Sequence, residues 1–260
     1  MSLFCFETFY ERKSFARHFL KEVTIELYLD GYENYSLNCK DYLKNFLDKL
    51  QCKPILKTSV NVEQDRINSI NPTNVGYVFD NKEEAYEIVF VEDRIYYKEK
   101  KYVGFETFIE NFKTRIKNLD FIDMSLIKGV GISKVNSFII NPVENYKEAL
   151  EVLNINYFSL IRSGVIKENA LTNNEEYIEF ENDEYMNSIR AFFRKKEEKA
   201  YEVVLGFRIR KKNLNDINMD NIGLHLADIN NQHFNIFYWS LADKMKQILG
   251  EDEVRSTKEF

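Results

Sequence analysis

His225, Asp228 and His233 fall on one predicted helix, with the aspartate three residues after the first histidine and the second histidine eight after it. A His-x-x-Asp pair on one helical face suits either metal ligation or acid–base work. Metal sites of this kind usually gather three or more protein ligands, and the chain has only one other histidine, His18. The expectation is therefore no metal. Gly129-Val130-Gly131-Ile132 has the look of a phosphate-binding turn, but it lacks the third glycine and reads as a strand in its own right. There is no Gly-x-Ser-x-Gly, no Gly-Lys-Ser/Thr and no His-Glu-x-x-His. The acidic pairs Glu83-Glu84, Glu175-Glu176 and Glu251-Asp252 fall mostly in predicted turns or tails, where solvated charge is the ordinary explanation. No catalytic residue and no cofactor is assigned.

The charge cluster that stands out is basic. A hairpin over Ala191–Arg210, turning at Glu197-Glu198-Lys199, sets positions summing to 396 opposite one another. Ile189, Ala191 and Phe193 then meet Phe207, Leu205 and Val203 on an inner face. The outer face carries Arg190, Phe192 and Arg194 on one strand and Val204, Arg208 and Arg210 on the other, with Glu202 opposite Arg194. Arginines around an exposed aromatic serve phosphate contact and base stacking, and they serve a protein interface equally well. Arg190, Phe192, Arg194, Arg208 and Arg210 are thus candidate contacts for a protein partner or, alternatively, for nucleic acid. The aromatic run Phe234, Phe237, Tyr238 and Trp239 reads as packing.

The elements that position these residues follow from apolar period. Val23, Ile25, Leu27 and Leu29 alternate with polar residues over Glu22–Leu29, which predicts a strand. Tyr42, Leu43, Phe46, Leu47 and Leu50 make a helical stripe behind a cap at Asn38. Lys53–Glu63 reads as a strand and Gln64–Thr73 as a polar connection. Short strands follow at Val75–Asp80, Ala85–Glu92 and Arg94–Glu99, then a helix over Val103–Asn118. The second half repeats the order. It has a strand at Gly129–Ile140, a helix with Pro142 in its first turn and its end near Leu153, strands near 175–181, 187–196 and 200–211, and a helix over Asn218–Tyr238. A last helix runs over Ser240–Leu249, capped by Ser240 and ended by Gly250. Residues 1–20 read as an arm and 251–260 as a disordered, charged tail. The fold class expected is α+β, with two similar halves (1–120 and 121–260), each an antiparallel sheet packed with a long helix.

Composition sets the class. The 260 residues carry 42 acidic and 36 basic side chains, a net charge of −6, which gives no global attraction to nucleic acid or anionic lipid. Cys5, Cys39 and Cys52 are odd in number and far apart, as reduced thiols in a cytoplasm would be. The first residues lack the pattern of a signal peptide, and no apolar run reaches the length of a membrane span. A cytoplasmic protein away from the membrane is expected. Homo-oligomers are common enough that self-association joins the expectations.

Several segments carry a likeness. They are Glu22–Leu29; Asp93-Arg94-Ile95 followed by Tyr102–Phe108; Ser133-Lys134-Val135-Asn136; and Phe237–Gly250. In this order they resemble a sporadically distributed, functionally uncharacterised family of bacterial proteins. The third segment corresponds to an Arg-Tyr-x-Asn run in that family, of which Asn136 matches here, and a histidine early in the family's long C-terminal helix falls at Asn230. The resemblance implies no activity. Its scattered distribution implies a bacterial defence or mobile-element setting. The reading that joins these strands is a non-enzymatic binding or adaptor protein acting with a protein partner; the alternatives are a nucleic-acid binder using the basic sheet face and an enzyme of unknown class.

Overall fold

Residues that alternate apolar and polar side chains form the clearest strands. In the computed structural model, residues 19–30, 51–63, 66–117, 119, 122–163 and 171–250 are described. The expected arm over 1–20 (save its last two residues), the helix behind Asn38 and the tail over 251–260 lie outside them. Among the described residues there are nine strands: β1 (Leu20–Leu29), β2 (Gln51–Glu63), β3 (Arg66–Asn81), β4 (Tyr86–Val91), β5 (Arg94–Glu99), β6 (Ile127–Ile140), β7 (Asn173–Glu181), β8 (Tyr185–Glu197) and β9 (Ala200–Lys211). They form one sheet in the order β2-β3-β4-β5-β1-β6-β9-β8-β7. The described α-helices are α1 (Phe105–Lys117), α2 (Tyr146–Leu150), α3 (Ser159–Arg162), α4 (Ile222–Ser240) and α5 (Asp243–Leu249).

The expectation of two similar halves, each with its own sheet and long helix, is overturned by this order. β1 pairs with β5 and neighbours β6, so the first described strand is not closed into a separate sheet with its sequence neighbours. Local period identifies strands but says nothing about partners a hundred residues away. The helices also differ: α1 has 13 residues and α4 has 19, beside three helices of seven residues or fewer.

By its contacts the chain divides into two compact units. One holds Glu22–Ile132 and Lys211–Leu226. There β4 and β5 alternate buried and half-buried residues, and the buried set pairs across the turn, Ile88 with Tyr97 and Phe90 with Ile95. β1 continues it, Ile25 against Tyr97 and Leu27 against Ile95. α1 lays Phe108 and Phe112 on the Tyr97 ring, at centroid distances of 5.5 and 5.6 Å. Gly76 has no substitute in β3, because a β-carbon there would stand 2.0 Å from the Phe90 carbonyl oxygen. The polar connection expected over Gln64–Thr73 is instead strand from Arg66 onward, paired with β2 from Glu63↔Arg66 to Gln51↔Asp80. Backbone pairing holds that segment extended without the apolar alternation that would have marked it.

The other unit holds Ser133–Arg210 and the described residues from Ala227 onward, with Phe19–Lys21. Its core gathers Ala191 and Phe193 of β8, Val203, Leu205 and Phe207 of β9, Leu150, Phe158, Met245 and Leu249. Burying side chains of this size stabilises by about 1.5–3 kcal/mol each. Phe193 stacks on Tyr201 at 5.0 Å. Two expected caps move. Pro142 precedes α2, whose first amides are taken by Asn145 Oδ1, from Lys147 and Glu148. Ser240 ends α4, donating its hydroxyl to the Ile236 carbonyl, and Ala242 stands at the start of α5. Gly250 ends α5 in the left-handed region, φ 72°, as expected of a glycine there.

Candidate functional site

β8 and β9 form the hairpin expected, with Glu198 and Lys199 between them. Arg194 bonds Glu202 across the hairpin, its Nε donating at 3.1 Å. A β-carbon on Gly206 would lie 3.7 Å from that of Arg190, which places those residues side by side as well. Even-numbered residues of β8 and β9 therefore share the outer face. β7 adds its odd-numbered residues, since Tyr177 pairs with Arg190 and Glu175 with Phe192.

The five candidate contacts are brought together on this face, and none stands in an all-basic field. Arg190 is exposed and its Nε donates to Glu175 Oε1 at 2.6 Å; that bond and charge raise its pKa. The Arg194 guanidinium lies 5.3 Å from the centre of the Phe192 ring. Lys196 Nζ stands 3.1 Å from Glu202. Burial alone would raise the Glu202 carboxyl, but its bonds to Arg194 and Lys196 outweigh this and hold it below its ordinary value. Arg208 and Arg210 are half-buried on β9. The Tyr177 phenol is bonded to Glu179 and raised chiefly by that bond, while the charge of Arg208 pulls it the other way. Arg190, Arg194, Lys196, Arg208 and Arg210 thus share a face with Glu175, Glu179, Glu181 and Glu202.

A second constellation lies on the inner side of the same unit. α4 buries Asn230, Gln232, His233 and Asn235, each 5 % exposed or less. The Tyr185 hydroxyl donates to Asp228 Oδ2 at 2.6 Å, and Gln232 bonds the same hydroxyl. Burial first, then Asp228, pushes that phenol well above its ordinary value. Asn187, two residues along the same face of β8, is 2 % exposed, and neither atom of its amide has a hydrogen-bond partner among the described residues. Lys134 Nζ donates to Asn230 Oδ1, and Asn136 is buried on the same strand. The two places singled out by the family resemblance, Ser133–Asn136 and Asn230, therefore meet. Sequence reasoning reached Asp228 and the histidines and missed Tyr185, Asn187 and Gln232. Gln232 had a signal, the polar run Asp228-Ile-Asn-Asn-Gln-His-Phe-Asn235 inside an otherwise apolar helix, whereas Tyr185 and Asn187 on β8 had none.

Asp228 bonds Tyr185, and among the described residues no group of three or more His, Cys, Asp or Glu side chains is arranged to hold a metal. Gly129–Ile132 is strand β6. Phe234, Phe237, Tyr238 and Trp239 pack against the core, with Trp239 5.9 Å from the Tyr157 ring. No described helix is long and apolar enough to cross a membrane. No protein-family model matches the chain. No curated protein matches it either.

Proposed function

We propose that the chain is a binding or adaptor protein whose protein partner docks on the outer face of β7, β8 and β9. The observation that supports this is the pairing of the arginines: Arg190 with Glu175, and Arg194 with Glu202 beside Phe192. Nucleic-acid affinity draws on unpaired cations releasing counterions from phosphates, and carboxylates interleaved with the arginines cancel that drive. Protein interfaces, in contrast, are enriched in arginine and aromatics and use mixed charge to fix register. Surface pairs of this kind contribute at most about 1 kcal/mol each to the fold, so they are available to rearrange around a partner.

The test is affinity capture from the native host with the wild-type chain and with the variant Arg190→Ala, Arg194→Ala, Arg208→Ala, Arg210→Ala. Loss of a captured protein, with circular dichroism unchanged, is the expected result. An identical captured set would refute the reading. So would retention of single-stranded DNA or RNA with an affinity that falls steeply with salt.

A further inference from the structure

The edge of β7 that faces away from β8 has a backbone phase that can be read off the strand's ends. Lys195 N–H donates to the Thr172 carbonyl at 2.8 Å, and Asn182 N–H donates to the Tyr185 carbonyl at 2.9 Å. Both bonds belong to the register in which Asn173 opposes Arg194 and Glu181 opposes Met186. Hydrogen-bonded and non-bonded pairs alternate along an antiparallel ladder. Even-numbered residues of β7 therefore bond β8, and odd-numbered ones turn their N–H and C=O groups away from it. β7 ends the sheet, and among the described residues no backbone bond reaches those groups of Asn173, Glu175, Tyr177 or Glu179.

The side chains along this edge say what it accepts. Tyr177 and Ile178 are adjacent, so they point to opposite faces, and each is 56 % exposed. The strand reads Asn-Asn-Glu-Glu-Tyr-Ile-Glu-Phe-Glu, four carboxylates and no cation. A second copy of β7 laid along it would set carboxylate against carboxylate, which disfavours self-pairing. A strand with lysine or arginine at alternate positions meets opposite charge instead.

We infer that β7 receives an extended, basic segment of a partner protein as a tenth strand, through backbone pairing at Asn173, Glu175, Tyr177 and Glu179. This names the partner's chemistry and rests on the reading of the chain as a protein-binding module. It does not depend on the arginines, so either can fail alone.

The test uses the full chain and a fluorescein-labelled peptide of alternating Lys and Val, nine residues long, with a Glu/Val peptide as its counterpart. Fluorescence anisotropy is expected to show binding of the basic peptide only, with new amide-exchange protection at Glu175, Tyr177 and Glu179. Glu179→Lys/Glu181→Lys is expected to weaken that peptide about tenfold and to admit the acidic one. Tyr177→Pro removes an N–H that β8 does not use, so the variant is expected to fold and to lose the peptide. The inference is overturned if the basic peptide does not bind, if it binds without protecting those amides, or if either variant binds it as the wild type does. The quadruple arginine-to-alanine variant should still take the peptide, which separates this outcome from failure of the docking face.

Discussion

The Tyr185 hydroxyl and the Asp228 carboxylate are joined at 2.6 Å, tying the inner side of β8 to α4. Tyr185 is 3 % exposed, so the bond is made largely out of water. Hydrogen bonds to a charged acceptor contribute roughly 1.5–3 kcal/mol. Tyr185→Phe is expected to lower the urea-unfolding free energy by about that amount. Asp228→Asn keeps an acceptor and is expected to cost less. Equal losses in the two variants would show that the bond's contribution rests wholly on the charge of Asp228, and no loss in Asp228→Asn would show that the charge contributes nothing.

Tyr157 gives the fold a dependence on alkaline pH. Ser240 spends its own hydrogen on the Ile236 carbonyl, so the Tyr157 hydroxyl is the donor in their 2.8 Å bond. Burial, the main cause, pushes the phenol up to about 12. An unfolded tyrosine titrates near ~10. A folded-state pKa above the unfolded one stabilises the native state fully below pH ~10, and that contribution is lost as pH rises from there to about 12. Tyr157→Phe is expected to cost about 1 kcal/mol near neutral pH and to flatten the fall in stability across that window. Melting curves at closely spaced pH values check it; an unchanged slope would count against the assignment.

Glu99 carries a heavily bonded carboxylate in the unit built on β1, β4 and β5. It accepts from Tyr97 Oη at 2.7 Å, Asn111 Nδ2 at 2.9 Å and Arg115 Nη1 at 2.9 Å, with its side chain 6 % exposed. Arg115 also lies over the Tyr86 ring at 4.1 Å. Arg115→Met strands the carboxylate without a counter-charge, a change that costs about 3–5 kcal/mol for buried pairs. Adding Glu99→Gln should recover part of the loss. A double-mutant cycle measured by chemical denaturation is the check, and strict additivity would mean that the two groups are not coupled.

How far these sites could be read in advance depends on what local pattern encodes. The arginine hairpin was legible because Ile189, Ala191 and Phe193 alternate against Val203, Leu205 and Phe207, which fixes both faces and sets Glu202 against Arg194. The Glu175–Arg190 pair was not, because it depends on the β7–β8 register, and the sequence of β7 has little apolar alternation to set it. Arg66–Thr73 failed for a related reason: its backbone ladder to β2 holds it extended, and its sequence carries no apolar alternation to announce a strand. The sheet order failed differently. β1 and β6 are neighbours although their sequences lie about a hundred residues apart, and nothing in the period of either strand specifies the other. The inner polar cluster was half visible, since a helix can advertise its buried polar residues but not the tyrosine and asparagine of the strand beneath it.

That asparagine yields the sharpest stability prediction. Asn187 is 2 % exposed, and its amide oxygen and nitrogen both lack a hydrogen-bond partner among the described residues. Leaving a buried polar group unsatisfied costs about 1–3 kcal/mol, and an apolar side chain of similar volume escapes that cost. Asn187 also sits within β8, paired with Phe180, and asparagine is a poor strand former. Asn187→Leu is therefore expected to raise the unfolding free energy by roughly 1–2 kcal/mol, in keeping with the low end of that desolvation range. Asn187→Asp, which adds a charge at the same place, is expected to lower it by more than Leu raises it. Urea titrations of the two variants beside the wild type decide the matter. A destabilised leucine variant would count against an unsatisfied amide and for a hydrogen-bonding molecule that satisfies it in solution.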